Sequence, residues 1–173
     1  MEQVDNAVRR VLMLKKKAGL LNDPFAYLNS ENEKAELLSE RNIAETKDIA
    51  LKSMVLLKNE KSVLPISSNV KNIAVIGPMA KATKDLLVWW SCMGNEKDVV
   101  TYFDGISNKF ENAKITFAKG CEIDSFRIAG KDLIPKAVKT AQAADIVILV
   151  LGEEYWMSGE GGGTASLHLP GAQ

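Results

Sequence analysis

Three carboxylates and two aromatic rings, Glu153, Glu154, Tyr155, Trp156 and Glu160, lie close together in a stretch that runs from Gly152 to Gly163 and is rich in glycine. Carboxylates hold sugar hydroxyls, or act as general acid and base at a bond being cleaved. The apolar faces of Tyr and Trp suit stacking on a flat ligand ring. Glycines let such a loop extend and bend into a neighbouring pocket. On residue chemistry alone the segment has two readings. It is a binding or catalytic loop with Glu160 and Glu153 as candidate acids and Tyr155, Trp156 and Glu154 as substrate contacts, or it is a solvated surface loop.

Other chemistry is weaker. Gly159-Glu160-Gly161-Gly162-Gly163 is a poor phosphate loop, because a Glu inside it opposes a phosphate and no Lys-Ser/Thr follows. Ile73-Ala74-Val75-Ile76-Gly77-Pro78 resembles the first turn of a dinucleotide fold but lacks the second and third glycines. His168 is the only histidine, sits between Leu167 and Leu169, and is expected to be structural or solvent-exposed. No Ser-His-Asp set forms around it. Trp89-Trp90 follows an apolar stretch and is expected in the core. Cys92 and Cys121 have no nearby second ligand at metal spacing, and are expected as two buried thiols. No metal and no organic cofactor are implied.

The elements that must place the loop follow from periodicity. Val4, Ala7, Val8, Val11 and Leu12 recur at helical spacing, with Lys15, Lys16 and Lys17 in the last turn, so a basic amphipathic helix should end near Ala18 before Gly19. Residues 25–40 read as an irregular polar linker. A second helix should run from about Ser39 to Met54, then yield to a strand-type run at Val55-Leu56-Leu57. Strands are expected at Asn72–Ile76, Lys114–Lys119 and Asp145–Leu151, with helices at Asp104–Phe110 and Leu133–Ala143. The last strand is almost purely apolar, as in a strand covered on both faces of a parallel sheet. The alternation predicts an α/β fold, a three-layer sandwich with a mostly parallel sheet. Leu169-Pro170-Gly171 normally leads into another helix, so the sheet is expected to be incomplete at the C-terminal end. Ligands of such sheets bind at the carboxyl ends of the strands, where Gly152 begins.

Composition narrows the classes. The 173 residues hold 22 basic and 22 acidic side chains, so the basic excess of a nucleic-acid binder is missing. The longest apolar run, Ile146–Leu151, is too short to cross a bilayer, and the first residues do not read as a secretory leader. No nucleic-acid or membrane partner is expected.

Several blocks, in order, resemble family 3 glycoside hydrolases. Val4-Asp5-Asn6-Ala7-Val8-Arg9-Arg10-Val11-Leu12 with Ala18-Gly19-Leu20-Leu21-Asn22-Asp23-Pro24 resembles the closing helix of the family's barrel domain. Ala50–Asn59 and Val63-Leu64-Pro65-Ile66 are similar to the opening of its second domain. Ile73–Pro78 resembles the first sandwich strand. Ala144–Glu153 and Met157-Ser158-Gly159-Glu160 resemble a later strand and its active-site loop, and Leu167–Gln173 the stretch beyond. The resemblance implies a terminal barrel helix over 1–24, a linker over 25–40 and the first part of the α/β sandwich over 41–173. It implies a retaining, exo-acting β-glycosidase of β-glucosidase or β-xylosidase type, acting on a β-linked oligosaccharide or glycoside. Its nucleophile would lie on the barrel domain upstream of Met1, so the isolated chain should be inactive. Glu160 is the first choice as acid/base and Glu153 the second. One departure stands out. Where many relatives carry an Arg after the Glu, this chain has Thr164, preceded by Gly161-Gly162-Gly163, which predicts a looser loop. Two readings compete with this one, a non-catalytic carbohydrate-binding or scaffold fragment and a nucleotide-binding α/β module.

Overall fold

Five successive residues, Asn72–Ile76, form β1, and four of them are almost or wholly removed from solvent. Side chains alternate across a strand, so Ile73 and Val75 meet one layer while Ala74 and Ile76 meet another. The computed structural model describes residues 1–123, 130–157 and 159–173. Among these residues one open sheet is seen, in the order β2-β1-β3, with β2 at Lys114–Ala118 and β3 at Ile146–Leu149. Both pairings are parallel, Ile73 opposite Ile115 and Ile146, and Val75 opposite Phe117 and Ile148.

The chain divides into two units, Met1–Asn59 and Glu60–Gln173. In the first, α1 (Glu2–Lys17) ends at Ala18, with its cations at the C-terminal turn as expected. Its apolar stripe of Val4, Val8, Val11 and Leu12 is about half exposed. The expected irregular stretch over 25–40 contains a short helix instead, α2 (Ser30–Glu36). Asn29 caps it by accepting hydrogen bonds from the N–H groups of Glu31 and Asn32, at 3.0 and 3.1 Å. This helix rests on its cap and on acids in its first turn, not on an apolar stripe, so periodicity did not announce it. Helix α3 (Glu40–Ser53) starts at Ser39 and stops at Met54, close to expectation. Val55, Leu56 and Leu57 are exposed and form no strand.

The second unit is the layered one. Between β1 and β2 lie the short α4 (Lys84–Leu87) and α5 (Tyr102–Lys109). Thr101 caps α5, its hydroxyl accepting from the Asp104 N–H at 3.1 Å and donating to the Asp104 carboxylate at 2.6 Å. Phe103, Ile106 and Phe110 cover Ile73 and Val75, and Phe103 meets Phe117 edge to face at 5.9 Å. Between β2 and β3 runs α6 (Ile134–Gln142), which covers the opposite face with small side chains, Ala137 and Ala141 against Ala74, Ile76 and Ala118. Helices on both faces of a parallel open sheet are the architecture that the sequence predicts. The expectation for β3 needs correction. It lies at an edge of the described sheet, with Leu149 61% exposed and Val147 41% exposed, and β1 is the strand buried on both faces. Among the described residues, no helix is long and apolar enough to cross a membrane.

Two fastenings hold β3 to β1. At their start, the Asp145 carboxylate accepts from the Asn72 N–H at 2.8 Å, the Lys71 N–H at 3.2 Å and the Asn72 side-chain amide at 3.2 Å. At their end, Val150 donates to the Ile76 carbonyl at 2.7 Å, and Gly77 turns with φ +135° directly against the Val150 carbonyl. A Cβ on Gly77 would strike that oxygen, and φ is already in a region side chains avoid. Gly77→Ala is expected to destabilise the second unit by about 2–4 kcal/mol, from strain plus overpacking, read as a lower midpoint in urea.

The backbone N–H of Asn72, then its side-chain amide, holds the Asp145 carboxyl below the ordinary Asp value. A carboxyl held down in the folded state stabilises that state above its unfolded value, and the benefit is lost as pH falls through the folded value. Asp145→Asn should therefore be less stable than the parent at neutral pH. The gap should close as the solution is acidified below the carboxylate range, in thermal melts run as a pH series.

Candidate active site

The two crossovers lie on opposite faces, α5 after β1 and α6 after β2, so the winding reverses between β1 and β3. The carboxyl ends of these neighbouring strands form the topological switch point, the usual ligand crevice of an open α/β sheet. From β1 the chain leaves through Gly77, a one-turn 3-10 helix at Pro78–Lys81 and α4. From β3 it leaves through Val150 and Leu151 into the carboxylate-rich loop.

That loop is held firmly at its base. The Gly152 N–H donates to the Gln173 side-chain oxygen at 2.8 Å, and the Gln173 Nε2 donates back to the Gly152 carbonyl at 2.7 Å. Three residues on, the Tyr155 N–H donates to the Asp85 carboxylate at 3.0 Å. The Tyr155 ring tilts against Trp89, with centroids 5.6 Å apart at 49°, and the Lys84 Nζ lies 4.3 Å over its centre. The Tyr155 side chain, first by hydrogen bonding and then by charge, raises the Lys84 ammonium above its ordinary value.

Beyond Met157 the loop is built differently. Ser158, part of the Met157–Glu160 block, lies outside the described residues. The Gly162 N–H returns to the Gly159 carbonyl at 3.1 Å, and Gly161 has φ +88°. A hydrogen-bonded four-residue turn with positive φ at its third position has the type II pattern, which requires a glycine there. Glu160 occupies the second corner and is exposed. Gly159, at φ +114°, passes so close to Trp89 that a Cβ would lie 3.0 Å from its ring.

The five candidate residues therefore part company. Glu153 and Trp156 share an open cleft of about 410 Å³, together with Met157, Thr164, His168 and Pro170. Glu154 faces a smaller cavity of about 270 Å³ near Asp85 and the Lys119–Glu122 ion pair, and accepts the Trp156 indole N–H at 2.9 Å. Tyr155 is taken up by Asp85, Trp89 and Lys84. Glu160 borders neither cavity. Such a set can offer a half-exposed indole face and a carboxylate to a sugar, with a second carboxylate on a projecting turn. Among the described residues, no cluster of three or more His, Cys, Asp or Glu could hold a metal.

Two expectations change. Trp89 and Trp90 are 59% and 69% exposed, not core, and Trp89 instead buttresses the loop. Cys92 is exposed, and only Cys121 is buried; both are free, and burial, then the nearby Glu122 charge, pushes the Cys121 thiol up. His168 is exposed, as expected, but borders the same cleft as Glu153. Asp85 and Gln173 were not foreseen. Both act on backbone groups through long-range contacts, which leave no periodic signal in sequence.

Comparison with known proteins gives consistent matches. Residues 54–173 match the family model described as the glycosyl hydrolase family 3 C-terminal domain. The chain is 35% identical to a β-xylosidase of Formosa agariphila, over all of this chain and 24% of that protein. It is 32% identical to a periplasmic β-glucosidase of Salmonella typhimurium, over all of this chain and 25% of that protein. The crystal structure of a Listeria innocua β-glucosidase in complex with isofagomine superposes with a TM-score of 0.79 at 30% identity, covering 96% of this chain and 22% of that one. The chain thus spans about a quarter of the length of the relatives it matches.

The Asp85 contact makes the loop base testable. Losing one such hydrogen bond costs roughly 1 kcal/mol, a factor of about five in an opening equilibrium. Asp85→Ala should speed hydrogen exchange at the Tyr155 amide about fivefold and leave the β1 amides unchanged.

Proposed function

The chain belongs to glycosyl hydrolase family 3, and on that premise we propose that it carries the acid/base half of a retaining, exo-acting β-glycosidase site. The other carboxylate, the nucleophile, comes from a barrel domain elsewhere in the parent polypeptide. One placement carries the reading: β3 delivers Gly152–Gly163, with its carboxylates and exposed Trp156, at the switch point of the sheet. In the same reading residues 1–24 supply the last barrel helix, 25–40 connect, and 41–173 begin the sandwich. The half-exposed stripe of α1 then has a barrel to pack on.

The chemistry divides between two carboxyl groups about 5–5.5 Å apart across the anomeric carbon. Glu160 acts first as the acid. It gives its proton to the glycosidic oxygen as the C–O bond breaks, while the barrel carboxylate forms a bond to the anomeric carbon. Glu160, now ionised, takes a proton from the water that cleaves this ester and releases the sugar with retained configuration. The turn at Gly159–Gly162 suits this task, because it leaves Glu160 exposed, free to enter a pocket made by another domain. Glu153 is the second candidate for the same role. Trp156 borders the bound glycoside from the cleft it shares with Glu153, while Glu154, facing the other cavity, and Tyr155, held by Asp85, Trp89 and Lys84, stand back from it. The substrate is a terminal β-linked sugar of the glucose or xylose kind, as the names of the relatives suggest.

In the complete protein, Glu160→Ala should lower turnover of alkyl β-glycosides by on the order of 10²–10⁴-fold. It should largely spare kcat/KM for dinitrophenyl glycosides, which depart without a proton, while loss of the base slows hydrolysis of the ester, and azide, which needs no base, should rescue turnover by forming a β-glycosyl azide. If Glu153→Ala shows that pattern and Glu160→Ala does not, the role passes to Glu153; if neither shows it, the acid/base assignment fails. The 173-residue chain alone should not hydrolyse an aryl β-glucoside, and turnover by it would refute a nucleophile located elsewhere.

A further inference from the structure

Gln173 lies 21 residues beyond Gly152 in sequence, yet its side chain treats Gly152 as a neighbouring strand would. It accepts from the Gly152 N–H at 2.8 Å and donates to the Gly152 carbonyl at 2.7 Å. The second hydrogen of its Nε2 goes to the Pro170 carbonyl at 2.8 Å. Both donors and the acceptor of one carboxamide are thus engaged. Turning the amide over would set N–H against N–H and oxygen against two carbonyls, so only one orientation fits. Gly152 is half-buried, and β3 has already ended at Leu149. Without Gln173 its two backbone groups would have to find water or stay unmet, at the cost of a buried orphan group.

The approach of Gln173 is itself built in. Gly171 is buried with φ +68°, a turn that bends the chain back after Pro170, and the Ala172 N–H reaches the Glu122 carbonyl at 3.5 Å. The result is a loop tied at its base, Gly152 to Gln173, with Glu153 next to the knot and Glu160 within the span. Gln173 touches neither glutamate.

We propose that Gln173 is a positioning residue for the acid/base, setting where the carboxylate loop leaves the sheet; this rests on the reading of Glu160 given above. A displacement of about 1 Å at a reacting group costs on the order of 10²-fold in rate. A loop base that frays therefore weakens proton donation more than it weakens sugar binding. Gln173→Ala removes all three hydrogen bonds. Gln173→Glu keeps the acceptor for the Gly152 N–H, but its carboxylate faces the Gly152 and Pro170 carbonyls until a proton restores one donor.

The test uses the complete protein, with its melting temperature and the Gly152 amide exchange measured for each variant. Gln173→Ala should lose about 10–100-fold in kcat/KM on an alkyl β-glycoside and less than about threefold in kcat/KM on the dinitrophenyl glycoside, whose first step needs no proton. The Gly152 amide should exchange faster. Gln173→Glu should show the same split, with a deficit relative to the parent that shrinks as pH falls. Equal losses on both substrates, or no loss on either, would overturn the proposal. So would an unchanged Gly152 amide in both variants. If Gln173→Ala fails to fold, the leaving-group split and pH trend of Gln173→Glu decide alone, and a flat trend counts against the proposal. Absence of the split in both Glu160→Ala and Glu153→Ala would sink the acid/base reading and this proposal together. A split for either glutamate variant without one for the Gln173 variants sinks the proposal alone.

Discussion

Everything at the site depends on β3 lying parallel beside β1 with Val75 opposite Ile148 and Ile76 opposite Leu149. Parallel neighbours deliver their carboxyl ends to the same edge, so the Gly77 turn and the Gly152 loop are forced together. Both must leave the sheet through one narrow place, and Gly77 resolves the crowding by carrying no side chain against the Val150 carbonyl. The two faces of β1 are filled unequally. Large rings from α5 and β2 pack on Ile73 and Val75, whereas α6 lies over alanines on the other face. A one-residue slip of β1 would exchange the two sets and ruin both layers. The register that places the loop is therefore fixed by the core and not by the loop.

How much of this was legible follows from what each residue answers to. β1 could be read because its apolar side chains are all buried, so hydrophobicity and burial coincide. β3 is shorter than its apolar run, 145–151, and lies at an edge of the described sheet. Apolar character marks a demand for cover, and Val147 and Leu149 lack that cover among the described residues. Val55-Leu56-Leu57 has the same strand-type composition and forms no ladder, since propensity alone does not make one. α2 escaped because its stabilisers, the Asn29 cap and the early acids, are single-residue signals that outweigh no pattern. The site divided similarly. The position of the carboxylate loop followed from the strand-end rule. The separation of Glu153, Glu154 and Glu160 into three surroundings did not, because it depends on Gly161 bending one turn and on Asp85 and Trp89 capturing Tyr155.

The loop is stiff and free in different places, and the division has a physical basis. From Gly152 to Tyr155 its backbone is tied to Gln173 and Asp85, and the Tyr155 ring tilts against Trp89. From Gly159 to Gly163 it carries glycines at positive φ and, among the described residues, hydrogen bonds within its own turn alone. Thr164 bonds to Ser166 and, among the described residues, reaches no more distant element through the bonds described. A guanidinium there could have tied the tip to a carboxylate some distance away. This chain leaves the tip to be located by its base and by whatever surface it enters.

That arrangement suits a carboxylate whose working environment is assembled from two domains. A tip frozen in the isolated unit would have to match its target before meeting it. A tip with no fixed base would lose much of its binding free energy to ordering. A fixed base with a glycine-turned tip lies between these limits. Its orienting information comes from hydrogen bonds to Gly152 and Tyr155 that are already formed, and only a few residues remain to be ordered on contact. The triple glycine raises that residual cost, since glycine loses more backbone freedom than any other residue on ordering. The three hydrogen bonds of Gln173 bear on the same balance, because they shorten the stretch over which that freedom exists.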